Sequence, residues 1–227
     1  MTDGSGKDTK ASRIKRMKVP VVEQSLAHRV PPGQVVTERF PILHEGEVPT
    51  YRMEEWSLRI FGAVEEQRIV RFEELLALPQ TRVVCDIHCV TRWSKLDTAW
   101  EGVLFRDFLR LLNIVPTGPY VMLHADHDYE TNVRLDELLG DDILLAFKYD
   151  GKPLTPKHGW PLRLVVPHLY FWKSPKWLRG IEFMTEDREG FWERNGFHNE
   201  ADPFKEERFS GEPLPIPEDE WHSKDFD

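Results

Sequence analysis

Val83-Val84-Cys85-Asp86-Ile87-His88-Cys89-Val90-Thr91-Arg92-Trp93-Ser94 is the stretch from which the chain is best read. Its β-branched residues and period-2 alternation predict a short β-strand ending in a cysteine, followed at once by a polar and aromatic turn. Alternation puts Val83, Cys85, Ile87 and Cys89 on one face and Val84, Asp86 and His88 on the other. A thiol at a strand end beside Arg92 and Trp93 suits a soft-metal ligand, a nucleophile with His88 or His124 as base, or a buried core residue. Zinc is disfavoured, because a structural site takes four N/S ligands and no second cysteine pair exists.

Outward from that strand, residues 56–62 alternate apolar and polar and end on Gly62, as a half-buried strand does. Residues 72–79 read as a short helix stopped by Pro79, and 104–112 carry the 3–4 spacing of an amphipathic helix. Strands are predicted at 120–123, 143–147, 162–166 and 181–184, with a helical turn at 135–139. The elements interleave without a βαβ rhythm or a Gly-rich phosphate loop, which disfavours a Rossmann or P-loop fold. The expected fold is α+β, a single irregular mixed-sheet domain at 36–211 with short helices and many loops. Residues 1–35 read as a flexible N-terminal arm, and 212–227 as an acidic C-terminal tail.

Composition narrows the function. Seventeen prolines and fourteen glycines in 227 residues fit a loop-rich chain. A net charge of −9 leaves no basic surplus to neutralise phosphates, so nucleic acid is an unsuitable partner. Two cysteines are too few for a disulfide scaffold. The basic start (Lys7, Lys10, Arg13, Lys15, Arg16, Lys18) precedes no apolar segment, and no run approaches the ~20 apolar residues of a membrane span. The expected setting is cytoplasmic, with no membrane contact.

A second constellation lies downstream. In Thr155-Pro156-Lys157-His158-Gly159-Trp160-Pro161-Leu162-Arg163, His158 and Arg163 flank a Gly/Pro-rich turn entering an apolar strand, and Lys173, Ser174 and Lys176 gather on a second turn. Arginine, lysine, a hydroxyl and turn N–H groups make a phosphate grip; a solvated basic turn beside structural prolines accounts for the pattern equally well.

Taken in order, Phe40-x-x-x-His44 with Val48-Pro49, the Cys89 strand, His158-Gly159-x-Pro161-x-Arg163, and Lys176-Trp177 resemble the molybdopterin-binding domain of the sulfite oxidase family. The chain is most similar to the small bacterial members without haem or dimerisation domains, over roughly residues 38–205. The resemblance implies a molybdenum–molybdopterin cofactor whose metal takes one protein thiolate, from Cys89. It implies pterin contacts from His44, His158, Arg163, Ser174 and Lys176, with Phe171, Trp172 and Trp177 shielding the metal. Arg92, Trp93, Phe197 and His198 are the expected substrate-pocket residues.

The departures from the family pattern are specific. Arginines that the family places before the His44 equivalent and after the metal cysteine are Ile42 and Ser94 here, and its active-site tyrosine is Phe197. Sulfite is a small dianion that needs converging cations and donors, so S- or N-oxide reduction is the favoured oxygen-atom transfer on a small-molecule substrate. Electrons would pass through a separate protein, a flavoprotein, ferredoxin or cytochrome. A thiol enzyme using Cys89 and a cofactor-free binding module for a redox partner are the alternatives.

Overall fold

The computed structural model describes residues 24–44 and 46–210. The acidic run 212–227 and the basic residues between Lys7 and Lys18 lie outside the described residues. Two mixed sheets carry the fold. The first has order β1–β5–β8–β10, where β1 is Val35–Val36, β5 Trp93–Leu104, β8 Leu144–Tyr149 and β10 Arg163–Val165; β4 (Thr81–His88) pairs with β5, and β9 (Lys152–Pro153) with β8. The second has order β3–β2–β11–β6–β7, from Arg68–Arg71, Ser57–Gly62, Leu178–Met184, Tyr120–Ala125 and Glu130–Arg134. This is the irregular mixed-sheet α+β architecture expected.

Alternation decides which residues fill the space between the sheets. In β8, Leu145 and Phe147 join the main core with Leu58, Ile60, Ile181 and Phe183, while Leu144 and Ala146 face a second cluster with Trp100, Leu154 and Val165. In β10, Leu164 joins the main core and Val165 the second cluster, so Arg163 shares the face of Val165. Helices are short: α1 (Phe72–Ala77) starts where Glu74 accepts from the Arg71 backbone N–H (2.9 Å). The next, α2 (Phe105–Leu111), buries Phe105, Phe108 and Leu109 at i, i+3, i+4. None of the described helices is long and apolar enough to cross a membrane.

Besides the two-residue β1 and β9, three strands escaped the pattern. The 12-residue β5 is the longest, yet its run holds Lys95, Asp97, Thr98, Glu101 and Gly102. It is fixed by pairing rather than by an apolar face: β4 takes residues 94–102 along one edge, while β1 and β8 hold its two ends along the other. β3 and β7 are too short, at four and five residues, for a period-2 signal. Of the expected N-terminal arm, residues 24–35 are described; Arg29 pairs with Asp86 of β4, Val30 and Gln34 are buried, and β1 pairs in parallel with the start of β5.

Candidate active site

Cys89 sits one residue beyond the end of β4, in the hairpin that joins β4 to β5. Its N–H donates to the Trp93 carbonyl (2.9 Å), and its own carbonyl accepts from Arg92 N (3.0 Å). The three-residue loop Val90-Thr91-Arg92 closes with Arg92 at φ 74°, the left-handed residue such hairpins use. A register irregularity between Cys85 and Ile87 precedes the turn. Cys89 therefore leaves the face it was expected to share: Ile87, with Cys85 packed beside it, belongs to the second cluster, while Cys89 joins Val90, Tyr170, Trp172, Trp192 and Phe197 in a third. Thr91 Oγ1 donates to Cys89 Sγ (3.1 Å).

The other two members of the motif turn elsewhere. Cys85 lies beside Thr98 Oγ1 (3.7 Å), and burial pushes its thiol up to about 12. His88 is buried against Ser94 Oγ (2.8 Å), with burial holding its imidazole near 4. His124, the other base considered, lies on β6 between Glu130 and Glu182. No cluster of three potential metal-ligating His, Cys, Asp or Glu side chains occurs among the described residues.

Cys89 lines a concave, largely apolar cleft, the kind of surface in which small molecules bind. Another part of its lining comes from the downstream constellation. Thr155 caps a one-turn 3-10 helix, Pro156–His158, accepting from His158 N (3.3 Å), with Pro156 in the first turn and Gly159 at φ 105° closing it. A Cβ on Gly159 would come within 3.0 Å of the Lys176 side chain and 3.2 Å of Arg163 Cβ. Glycine there lets the two cationic side chains close around the turn.

His158 ends that turn. Its Nδ1 lies 2.7 Å from Thr155 Oγ1, while its Nε2 is buried without a hydrogen-bond partner. Burial, then the charges of Arg163 and Lys176, lowers its pKa to about 4, so the ring is neutral near pH 7. Arg163 is 2% exposed. Its guanidinium donates to the carbonyls of Leu164 (3.4 Å), His158 (3.1 Å) and Ser174 (2.9 Å), and stacks on Phe171 (4.4 Å to the centroid) and Trp100 (5.1 Å). No ion pair to Arg163 occurs among the described residues, and burial depresses its pKa to about 9. An arginine so placed is incomplete without an anion, because an unpaired buried charge costs several kcal/mol.

The remaining predicted contacts fall on the same cleft. Lys176 Nζ donates to the carbonyls of Leu43 (2.5 Å) and Lys157 (3.3 Å), tying residues 40–44 across the opening. Ser174 lines the cleft but also accepts from Val166 N (2.9 Å), so it fixes the edge of β10. His44, Trp93, Phe171, Trp172, Trp177 and Phe197 line it too. The Trp93 Nε1 donor is likewise buried without a partner. Phe197 stacks on Trp192 (4.7 Å, 19°) and meets Trp172 edge-on (5.0 Å).

Two predicted substrate residues stand outside the lining. Arg92 is drawn backward by its left-handed backbone and donates to the Gly33 carbonyl (3.2 Å). The nearby loop carboxylate Asp97 pairs with Arg29 (2.6 Å). The His198 Nδ1 accepts from Glu200 N (3.1 Å), keeping the ring on its own turn. Lys173, grouped with Ser174 and Lys176 in the sequence, points into the core and pairs with Glu193 (2.6 Å), both side chains being at most 1% exposed. Tyr129, Thr91 and Gln34 were not anticipated. Tyr129 lines the cleft and donates to the Trp172 carbonyl (2.7 Å), and buried Gln34 donates to the Cys89 carbonyl (3.0 Å).

These features fit an anionic, hydrogen-bonding cofactor on one wall and a soft metal on the other. The buried arginine and unpartnered imidazole nitrogen suit a phosphate-bearing pterin, and a lone buried thiol suits a single protein sulfur on molybdenum.

Comparison with known proteins agrees. A family model described as the oxidoreductase molybdopterin-binding domain matches residues 45–192. An uncharacterized oxidoreductase of Bacillus subtilis, YuiH, is 49% identical over 80% of this chain and 92% of its own length. A putative protein-methionine-sulfoxide reductase subunit of Azospira oryzae, YedZ1, is 29% identical over 74% of this chain and 64% of its own. Among solved structures, the sulfane dehydrogenase SoxCD of Paracoccus pantotrophus shares the fold with a TM-score of 0.58 and 22% identity, covering 67% of this chain and 43% of that one. The chain thus spans nearly all of the Bacillus relative but less than two thirds of the other two.

Proposed function

Since the chain belongs to the family of oxidoreductase molybdopterin-binding domains, we propose that its cleft holds a molybdenum-bound pterin with Cys89 as the one protein thiolate on the metal. The protein is an oxidoreductase of that family. The supporting observation is a single cleft with a lone buried thiol on one wall and, on the other, buried Arg163 beside the unpartnered His158 Nε2.

When bound, the cofactor supplies two-electron redox chemistry at the metal and a place for the transferred oxygen atom. The chain's own residues do the holding. Arg163 uses three of its five N–H donors on backbone carbonyls, leaving two and its charge for an anionic group. Neutral His158 offers Nε2 as a hydrogen-bonding atom, and Lys176 adds a point charge. Trp93, Trp172, Trp192 and Phe197 exclude water around Cys89, and Thr91 directs its sulfur.

We infer that the substrate is a small S- or N-oxide, reduced by two electrons and two protons to the parent compound and water. The cleft's lining carries no arginine on the Cys89 wall. Ile42 and Phe197 present hydrocarbon where a sulfite site needs cations and a hydroxyl, and Ser94 is turned toward His88. The methionine-sulfoxide reductase name of the Azospira relative points the same way. We place the electron supply on a separate redox protein. The test is a screen of molybdenum-loaded protein with a dye as electron carrier against sulfoxides, N-oxides and sulfite. Oxide-dependent oxidation of reduced dye is expected; rapid sulfite oxidation with negligible oxide reduction would overturn this substrate reading. Thiol-dependent turnover by molybdenum-free protein would favour the nucleophile alternative.

A further inference from the structure

A second buried arginine is bonded to the Cys89 turn from outside the cleft lining. Arg208 is 4% exposed, and its Nη1 donates to the Val90 carbonyl (3.0 Å), 118 residues away in sequence. Its Nη2 donates to the Pro32 carbonyl (3.1 Å), and the guanidinium lies 4.8 Å from the Tyr170 ring centroid. Its Nε is buried without a hydrogen bond; half-exposed Glu206 comes only within 3.8 Å of it.

Arg92 reaches the same place from the turn itself. A Cβ on Gly33, at φ 70°, would come within 2.6 Å of Arg92 Nη1 and 2.8 Å of Glu206 Oε1, so the ends of both side chains gather at this glycine. Two carbonyls, one ring and a loose carboxylate compensate poorly for a buried guanidinium.

We propose that Arg208 is a positioning residue for the metal site. It pins the Val90 carbonyl, and so the turn carrying Cys89, and its buried charge favours the more negatively charged, reduced state of the centre. This inference rests on Cys89 being the metal ligand.

The experiment is a redox titration of the molybdenum-loaded enzyme at fixed pH. Removing a nearby positive charge disfavours the reduced state, so Arg208→Gln should shift the midpoint potential downward, and Arg208→Lys should restore most of it. Removing the opposing negative charge with Glu206→Gln should shift it upward by a smaller amount. A folded, fully loaded Arg208→Gln with an unchanged or raised midpoint overturns the proposal. A lysine that restores nothing overturns its electrostatic part. If Arg208→Gln does not fold, Glu206→Gln at its half-exposed position decides, and an unchanged or lowered midpoint there sinks the idea. Molybdenum content and the metal's sulfur shell, measured on the same samples, separate this outcome from failure of the Cys89 assignment. Wild type lacking a cysteine sulfur on the metal would strike that assignment instead.

Discussion

On the wall built from β10 and the 3-10 turn, Arg163 and Lys176 are fastened to backbone carbonyls and His158 to a capping threonine. On the facing wall Cys89 is surrounded by aromatic rings, with Thr91 its polar neighbour. The first wall holds charge in place before any ligand arrives, and its Arg163 has no ion pair among the described residues. The second keeps water and competing cations away from one sulfur. Anchoring and chemistry are thereby assigned to different parts of the chain, separated by some seventy residues of sequence but lining one cleft. Arg208 extends the contrast, since its charge serves the Cys89 wall from behind, where it does not occupy the cleft.

The largest effect that would sharpen this division is expected at Arg163. Arg163→Met keeps the apolar stem and removes the charge and fork. Losing a buried charged hydrogen-bonding partner costs ~2–5 kcal/mol, so cofactor retention should fall by about two orders of magnitude while the fold persists. Pterin and molybdenum retained after gel filtration measure it. Wild-type retention would break the distinction between the walls.

A smaller effect is expected from His158. Its pKa falls from 6.5 to about 4 on folding, so between those values the unfolded chain binds a proton that the folded one does not. Folding stability from this residue is therefore fully present above about 6.5 and is lost as pH falls toward about 4. Denaturation midpoints of His158→Gln should depend less on pH across that window than those of wild type. Parallel curves would show that the imidazole is not held neutral by its site.

The sequence made one wall far more legible than the other. Thr155-Pro156-Lys157-His158-Gly159 carries its own cap, first-turn proline and left-handed glycine, so the local code places His158 without tertiary help. Cys89 was visible as a strand-end thiol, but its face was misjudged because it lies one residue past the end of β4, in the hairpin turn where strand alternation no longer applies. Arg92 looked like a substrate residue from its spacing; its positive φ, which no pattern announces, turns it away. Lys173 was indistinguishable from Lys176 until the buried Glu193 was placed beside it. β5 was missed because it is held along both edges by strands from elsewhere in the chain. Gln34 and Arg208 reach Cys89 and its neighbour Val90 from distant segments, and nothing in their local sequence marks them.

The central claim is that one buried thiol meets a cofactor gripped by the opposite wall. Molybdenum analysis with X-ray absorption at the metal edge, on wild type and Cys89→Ala from a host that makes the pterin, tests it most directly. Wild type should carry close to one molybdenum per chain, and the alanine variant, still folded, should show one sulfur fewer around any metal it retains. An unchanged sulfur shell in Cys89→Ala, or wild-type protein that stays free of molybdenum when the pterin is supplied, would contradict the account.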